Sequence, residues 1–449
     1  MFKKVRLFFL IFLAFLQKEK VPLIFSMIGG ALIFLFVFKA LPYIPKPKPI
    51  QKIGIVGNYG FDNLPKNILE YASSGLTKID EKGLPQPALA KEWQTQKDGK
   101  IYIFTLADEI FWQDGTKITT KDFDLQLPGV ETEIIADKIL KFTLEDSFSP
   151  FPGLLANPLF KEGYIGSGKY QIEKVSYAGN HIQSIFMVGQ DKNMLFKFYP
   201  TLDTALQAFK LGEIDTLKDL YENPFQEEWS FNVTIKKNIQ DDQYVGLFFN
   251  LKDKFLSDKN LRQALAYTAP KGSENARAIS PINPNSYFFN SDVKKYNINS
   301  KSAERLFEKF KENFQDEQIK LTLHASSNLA EQAEEIKKEW EKLGAQIDIK
   351  FIDRIPDDFQ ILLIASKIPA DPDQYPFWHS TQPTNITGYK SPKIDKILED
   401  ARKTSDKAER KEKYLDFQKF LLEDCPVVFL YHPEMLQITR KKFHFFNNQ

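Results

Sequence analysis

The chain has 449 residues, 43% of them hydrophobic and 27% charged, an ordinary globular balance with room for two or three domains. Its formal net charge of +1 is unevenly spread: residues 1–50 hold eight of the 60 Lys and Arg but one of the 59 Asp and Glu, which leaves 52 basic against 58 acidic residues in the body. A mildly acidic body argues against nucleic acid as a partner, because phosphate binding requires a dense basic surface.

The first fifty residues have the composition of a membrane anchor. An apolar run within Val21–Ile44 is long enough for one transmembrane helix, whereas the run Leu7–Leu16 is too short to span and is expected to lie in the interface. Five cations precede the span, which predicts a cytoplasmic N-terminus and an extracytoplasmic body. A cleaved signal peptide is the alternative. A stiff, proline-rich spacer to about residue 50 follows, with Pro42, Pro45, Pro47 and Pro49.

The first half of the body has mainly strand and turn patterns. Ile53–Val56 is predicted to be a strand, and Asn67–Ser73 a short helix. Apolar residues alternate along Ile101–Leu106, between the two turns Asp98-Gly99 and Asp114-Gly115, which predicts a hairpin unit. Later, the spacing of apolar residues over Leu202–Lys210 predicts an amphipathic helix.

From Asn260 onward the pattern changes to helices alternating with strands, which indicates α/β structure. Two further segments, Tyr244–Asn250 and Pro426–Tyr431, have the apolar, extended character of strands that could link two lobes. Within the α/β part, the pattern predicts helices over Lys301–Phe314, Leu329–Leu343, Ser391–Thr404 and Asp406–Leu422, and strands over Ile319–His324, Gln346–Ile352 and Asp357–Ala365.

Three blocks resemble, in the same order along the chain, the signature of the family 5 extracellular solute-binding proteins, the peptide and oligopeptide receptors of ABC importers. The first is Leu89–Phe123, with its two Asp-Gly turns. The second is Tyr244–Ala269, a strand that ends in Phe-Asn followed by an Arg-Gln-Ala-Leu helix. The third is Asp371–Ser380, continued by Asn385, Gly388, Tyr389 and Asp395.

This resemblance implies a type II periplasmic-binding-protein-like α/β fold with mixed sheets and two lobes that close on a ligand. Residues 1–45 are then the cytoplasmic end and the transmembrane anchor. Residues 51–250 form lobe I, completed by about 425–449, and residues 251–424 form lobe II.

The resemblance also implies a membrane-anchored, extracytoplasmic, monomeric binding protein. It would capture peptides or a similar extended solute and deliver them to ABC permease subunits, with no catalysis, cofactor or metal. A ligand sensor or surface-binding module that keeps the fold but does not support transport is the alternative.

Candidate ligand-binding residues lie in several segments. The predicted loop after a strand carries Asp371, Asp373, Tyr375, Trp378 and Asn385, and ligands of α/β domains bind at such loops. The alternative is that Asp371 caps a turn and the aromatic side chains belong to the core. Each candidate elsewhere in the chain could stack on or hydrogen-bond an extended ligand, or serve the fold alone: Tyr71, Ser73 and Ser74 at the expected cleft edge, Trp112 before the second turn, and Asn250 at the end of a linking strand.

One position departs from the family pattern. In peptide-binding members, an aspartate three residues before the Asp-Pro pair holds the amino terminus of the ligand, and Ile368 occupies that position here. An apolar side chain cannot neutralise a buried ammonium group. Either Asp371 takes that role, or the ligand has no free amine at this point.

Enzymatic interpretations find little support in the sequence. Gly166–Lys169 ends like a phosphate-binding loop, but Tyr170 replaces the required Ser or Thr. The five histidines lack metal-ligand spacing, and no Gly-x-Ser-x-Gly turn is present. The single cysteine, Cys425, excludes an intrachain disulfide and has the setting of a small buried hydrophobe.

Overall fold

The computed structural model describes residues 18, 20–40, 48–123, 125–225, 231–315 and 317–441. It forms two compact units, residues 1–50 and 51–449. A helix, α1, covers Lys20–Ala40 of the first unit. Within the described ranges, no helix combines the length and apolar character needed to cross a membrane, so the transmembrane helix predicted over Val21–Ile44 is not supported. The predicted interfacial run Leu7–Leu16 and most of the proline spacer lie outside the described residues.

The second unit contains a seven-stranded mixed sheet. Its order is β12-β18-β11-β1-β10-β9-β8. The β1–β11 pair is parallel, whereas the β12–β18, β18–β11, β10–β9 and β9–β8 pairs are antiparallel. Two helices cover it, α2 (Lys66–Ala72) against the β1 side and α4 (Leu202–Leu211) against the β11 side. The strands are β1 (Ile50–Val56), β8 (Gln171–Ala178), β9 (His181–Val188), β10 (Asn193–Tyr199), β11 (Thr216–Leu220), β12 (Val233–Ile239) and β18 (Glu434–Arg440).

A four-stranded antiparallel sheet of order β4-β5-β7-β6 confirms the predicted hairpin unit. The two turn glycines, Gly99 and Gly115, have φ of 90° and 83°, values that favour glycine because it has no Cβ. The buried face of β5 presents Tyr102 and Phe104 to the core. The remaining elements are β2 (Thr77–Ile79), β3 (Pro85–Pro87), β4 (Ala90–Gln96), β5 (Ile101–Leu106), β6 (Val130–Ala136), β7 (Ile139–Leu144) and the short helix α3 (Phe151–Leu154).

The five-stranded sheet has the order β15-β14-β16-β13-β17, with β14 parallel to both of its neighbours. Helices flank it, and four of them begin at a side chain that accepts a bond from a free backbone N–H: Asp258, Asn299, Ser391 and Asp406. The strands are β13 (Gln243–Phe249), β14 (Lys320–Ser326), β15 (Gln346–Ile352), β16 (Ile361–Lys367) and β17 (Val427–Tyr431). The helices are α5 (Lys259–Thr268), α6 (Ser300–Lys311), α7 (Ala330–Lys342), α8 (Tyr375–Trp378), α9 (Pro392–Lys403) and α10 (Lys407–Asp424).

The alternation of helix and strand predicted after Asn260 is therefore confirmed, and the body is a mixed α/β fold. One predicted strand is displaced: β16 begins at Ile361 rather than at Asp357. Asp357 and Asp358 lie in the preceding turn, because their solvated carboxylates suit a turn better than the centre of a sheet.

Candidate functional site

The chain passes between the seven-stranded and five-stranded sheets at two adjacent places. It leaves β12 for β13 through residues 240–242, and it returns from β17 to β18 through residues 432–433. These two linking segments are hydrogen-bonded to each other, since Gln240 N donates to Pro433 O at 2.9 Å. A ring nitrogen of His432 also lies 2.8 Å from Gln243 O. Side-by-side linkers of two and three residues are the geometry of a hinge.

One edge of β16 is unpaired beyond its first half. On one side it pairs with β13 along its whole length, and on the other it pairs with β14 only from Ile361 to Leu363. Ile368 N donates to Asp242 O at 2.7 Å, so by antiparallel alternation the N–H and C=O groups of Ala365 and Lys367 point away from β13. Both residues are exposed. They present a short row of free backbone groups at the carboxyl end of a parallel strand pair, where α/β sheets bind ligands.

A cavity of about 350 Å³ lies beside this edge, and we call it the β16 cavity. Because one water molecule occupies about 30 Å³ in the liquid, the cavity has room for roughly a dozen waters, or for one or two apolar side chains. Lys367 is the only charged side chain among the described residues that line it. The cavity is thus a largely apolar pocket with few polar groups, the usual composition of a small-solute site. Its apolar walls include Tyr244, Phe248, Ile364, Phe377, Trp378 and Ile386.

A second cavity, of about 250 Å³, lies where the four-stranded sheet meets the start of α10. Trp93, Tyr102 and Phe288 supply its aromatic walls, and Lys407 and Arg410 its cations. Burial raises the pKa of Tyr102 to about 12, so its hydroxyl stays protonated at neutral pH. We call this space the Trp93 cavity.

The two predicted aspartates of the third block are both engaged in ion pairs. Asp371 receives two bonds from Arg410, at 2.6 and 3.1 Å, and Asp373 receives bonds from Arg402 Nη2 at 2.7 Å and from its Nε at 3.0 Å. Burial would lower the Arg410 pKa, but the adjacent Tyr414 and Asp371 raise it above its ordinary value, so this cation is permanent. Each carboxylate is therefore already neutralised by the protein, and neither lines the β16 cavity.

The other predicted residues of this block have separate roles. Trp378 is 3% exposed, lines the β16 cavity and donates from Nε1 to Gln374 Oε1 at 3.2 Å. Tyr375 does not line the cavity and stacks on the His379 ring at 4.1 Å. Asn385 is buried in the following turn, where its Nδ2 donates to Tyr389 O at 2.8 Å. Only Trp378 of this group lies where a solute could touch it in the β16 cavity.

The predicted cleft-edge residues near the end of α2 are held by neighbouring loops. Ser73 is buried and donates from its hydroxyl to Leu159 O, while the Ser74 backbone N–H donates to Ser167 Oγ at 3.2 Å. Tyr71 is 37% exposed and meets Tyr170 edge to face at 5.6 Å. None of the three lines either cavity. Their predicted contact with ligand stays a prediction.

Trp112 and Asn250 have structural surroundings. Trp112 is 3% exposed in the core of the four-stranded sheet, and its indole N–H has no hydrogen-bond partner there. Asn250 donates from Nδ2 to Phe359 O at 2.7 Å and accepts from Lys252 N at 3.1 Å, which fixes the turn after β13. These are contacts within the fold, and the predicted contact of either residue with a ligand stays a prediction.

Ile368 occupies the position where the family pattern has an aspartate. It is 7% exposed and packs in the core beside α9 and α10. The residues that sequence reasoning missed are Ala365, Phe377, Arg402 and Arg410. A signal existed for Phe377, which belongs to the aromatic block. The arginines gave no signal, because each lies 29 or more positions from its partner on a helix whose charges suggested a solvated face. No cluster of three or more potential metal ligands occurs in the part of the chain that the structure describes.

Comparison with known proteins gives a consistent result. The family model for bacterial extracellular solute-binding proteins, family 5 Middle, matches residues 85–127 and 190–388, more than half of the chain. The oligopeptide-binding protein OppA of Bacillus subtilis is 22% identical over 459 residues, which cover 82% of this chain and 84% of that protein.

Two solved structures share the fold. NikZ from Campylobacter jejuni, in complex with Ni(L-His), has a TM-score of 0.70 at 23% identity and covers 89% of this chain and 95% of its own. The ABC transporter substrate-binding protein CtaP from Listeria monocytogenes has a TM-score of 0.74 at 21% identity and covers 88% and 94%. At these identities the similarity establishes the fold and leaves the ligand open.

Proposed function

We propose, because this chain belongs to the family 5 bacterial extracellular solute-binding proteins, that it captures a peptide or a similar extended solute and delivers it to the permease of an ABC importer. The name of the Bacillus subtilis relative, an oligopeptide-binding protein, supports peptides as the solute class. Binding alone is required, with no covalent step.

The observation that carries this proposal is the free edge of β16 beside an apolar cavity. A peptide in extended form would add a short strand at Ala365 and Lys367, because their N–H and C=O groups face the edge that β14 leaves unpaired. Every second side chain would then point toward the sheet face, and Phe377 and Trp378 offer it apolar contact. The backbone would supply affinity for any peptide, and the cavity would select the side chain.

We further propose that the body works as two lobes. The boundaries expected from the sequence, at residues 250 and 425, are moved outward, because β13 and β17 pair within the five-stranded sheet. Residues 51–239 with 434–441 would form one lobe and residues 243–431 the other, so that the linking segments 240–242 and 432–433 act as the hinge. Ligand between the lobes would favour the closed arrangement, because only that arrangement offers contacts from both sides. The permease would then recognise the closed form.

A membrane tether is a separate proposal, drawn from the hydropathy and charge of residues 1–50 alone, and the structure does not support it. A tethered protein would stay with membranes after alkaline carbonate washing. Release of the intact chain into the supernatant would contradict the tether and leave the solute-binding proposal unaffected.

Calorimetric titration of the purified full-length protein with peptides of two to five residues tests the main proposal. We expect at least one apolar peptide to bind with micromolar or better affinity. An analogue in which an ester replaces one amide of that peptide should bind more weakly, because it cannot donate to the β16 edge. Absence of binding across the panel, or equal affinity for all ester analogues, would contradict strand addition.

Transport and sensing differ in what happens after binding. An importer component should allow cells that cannot make an amino acid to grow on a peptide containing it, and deletion of the gene should abolish that growth. Unchanged growth, with ligand-dependent changes in gene expression instead, would favour the sensor alternative.

A further inference from the structure

The side chain of Arg402 contacts two aromatic rings from distant parts of the chain. Its guanidinium carbon is 4.0 Å from the centre of the Tyr375 ring and 5.3 Å from the centre of the Phe148 ring. Tyr375 in turn stacks on His379, with ring centres 4.1 Å apart. A guanidinium plane can stack on aromatic faces and still use its edge for hydrogen bonds.

Arg402 uses that edge to hold Asp373, with three nitrogen–oxygen distances of 2.7 to 3.0 Å. The side chains of this pair are only 25% and 13% exposed, so solvent screens the interaction weakly. The ion pair fixes the guanidinium in the orientation that both rings contact.

The backbone at Ala401 and Arg402 is also bonded to the segment Phe148–Ser149. Ser149 N donates to Arg402 O at 2.6 Å, and Ser149 Oγ donates to Ala401 O at 3.0 Å. Phe148 and Ser149 follow β7 of the four-stranded sheet, whereas Arg402 lies in the last turn of α9, beside the five-stranded sheet. Arg402 therefore joins two parts of the fold that are more than 250 positions apart in sequence.

Tyr375 connects this junction to the β16 cavity. It is the first residue of the helix Tyr375–Trp378, and Phe377 and Trp378 of the same helix line the cavity. One short helix thus presents one set of side chains to a solute and another to Arg402.

We propose that Arg402 is a positioning residue that couples solute binding to closure of the body. A solute in the β16 cavity packs against Phe377 and Trp378 and holds their helix in the position where Tyr375 stacks on Arg402. Arg402 and its backbone then retain the segment Phe148–Ser149. Coupling between two equilibria is reciprocal, so if a bound solute stabilises the contact between Arg402 and Phe148, that contact also stabilises the bound solute. This inference rests on the proposed function, and it predicts that loss of the contact speeds solute release.

Phe148→Ala is the most selective test, because it removes the second ring and leaves the Asp373–Arg402–Tyr375 group intact. We expect the dissociation rate of the best-binding peptide, followed by stopped-flow tryptophan fluorescence on the full-length protein, to rise about 3- to 20-fold. The association rate should change less than twofold, since the open form meets the solute without this contact. Phe148→Tyr keeps the ring and should restore the wild-type dissociation rate.

Two further variants complete the experiment. Arg402→Lys keeps the positive charge but cannot stack as a plane, and it should speed release as Phe148→Ala does. Phe111→Ala is the matched control, because Phe111 is an aromatic residue of the same part of the fold, is 50% exposed and is not one of the two rings described against Arg402. It should leave both rates unchanged.

The outcomes separate the inference from the proposed function. If wild-type protein binds peptide and Phe148→Ala releases it at the wild-type rate, the coupling role of Arg402 is refuted while the proposed function stands. Faster release by Phe148→Tyr as well would show a packing defect and also refute the role. If the wild-type protein binds no peptide, the proposed function fails and this inference fails with it.

Discussion

Substitution of Asp371 by Asn should lower stability strongly and leave solute affinity nearly unchanged. The carboxylate of Asp371 receives two bonds from Arg410, at 2.6 and 3.1 Å, and one from the Asp373 backbone N–H at 2.9 Å. The two paired side chains are 17% and 8% exposed. Loss of the negative charge would leave the Arg410 guanidinium buried beside the Phe288 and Tyr414 rings without its counter-ion.

The expected magnitude follows from this burial. Removal of one partner of a buried ion pair costs roughly 3–5 kcal/mol, because the remaining charge is uncompensated. Asparagine can still accept one of the bonds, and Arg410 Nε keeps its bond to Ala401 O at 3.2 Å, so we expect the low end, about 3 kcal/mol. Because Asp371 does not line the β16 cavity, the dissociation constant for peptide should change less than threefold.

Urea unfolding followed by tryptophan fluorescence gives the free energy of unfolding, and calorimetric titration below the transition gives affinity. The double variant Asp371→Asn/Arg410→Met removes both charges and should lose less stability than the two single variants added together. Asp108→Asn at an exposed ion pair is the control and should change stability little. Wild-type stability with a tenfold loss of affinity would refute the reasoning and make Asp371 a ligand contact.

Three other predictions concern the cavity, a buried lysine and a bridging glutamine. Phe377→Ala should weaken peptide binding about tenfold or more with little change in melting temperature. Phe351, which is also exposed but lies outside the β16 cavity, is the control, and Phe351→Ala should leave peptide affinity unchanged. Equal losses of affinity in the two variants would contradict the β16 cavity as the binding site. Burial and the adjacent Arg277 lower the pKa of Lys271 from 10.5 to about 7, so between those pH values the unfolded chain binds more protons. The free energy of unfolding of the wild-type protein should therefore rise with pH across that window relative to that of Lys271→Met. Parallel plots of unfolding free energy against pH for the two proteins would contradict this. The side-chain amide of Gln113 donates to three backbone carbonyls at 2.8 to 3.1 Å. Gln113→Ala should therefore lower the free energy of unfolding, measured in urea, by about 1–3 kcal/mol. A smaller loss would mean that water replaces the amide.

Local patterns predicted the elements of the body well, because the physics that fixes them acts over a few residues. Alternation over Ile101–Leu106 and the flanking Asp-Gly turns gave β5, and the apolar spacing over Ser391–Thr404 gave α9 to within one residue at each end. The start of β16 was misplaced by four residues, because a strand buried on both faces shows no alternation to mark where it begins.

The site was less predictable, because its chemistry depends on contacts between distant positions. Asp371 and Asp373 have the composition of ligand contacts, yet α9 and α10 bring Arg402 and Arg410 to them, and nothing local to the aspartates signals these partners. The free edge of β16 was also hidden, since it exists only because β14 stops pairing after Leu363. Trp378 was singled out because an aromatic block in a loop after a strand is a local feature, and this residue does line the β16 cavity. Its contact with a solute stays a prediction.

Amide hydrogen exchange at Ala365 and Lys367 tests most directly whether a solute binds by adding to β16. In the free protein both amides face an unpaired edge and should exchange rapidly, whereas a saturating peptide should slow exchange at one or both by at least tenfold. A peptide that binds with measurable heat while both amides continue to exchange at the free rate would contradict the account.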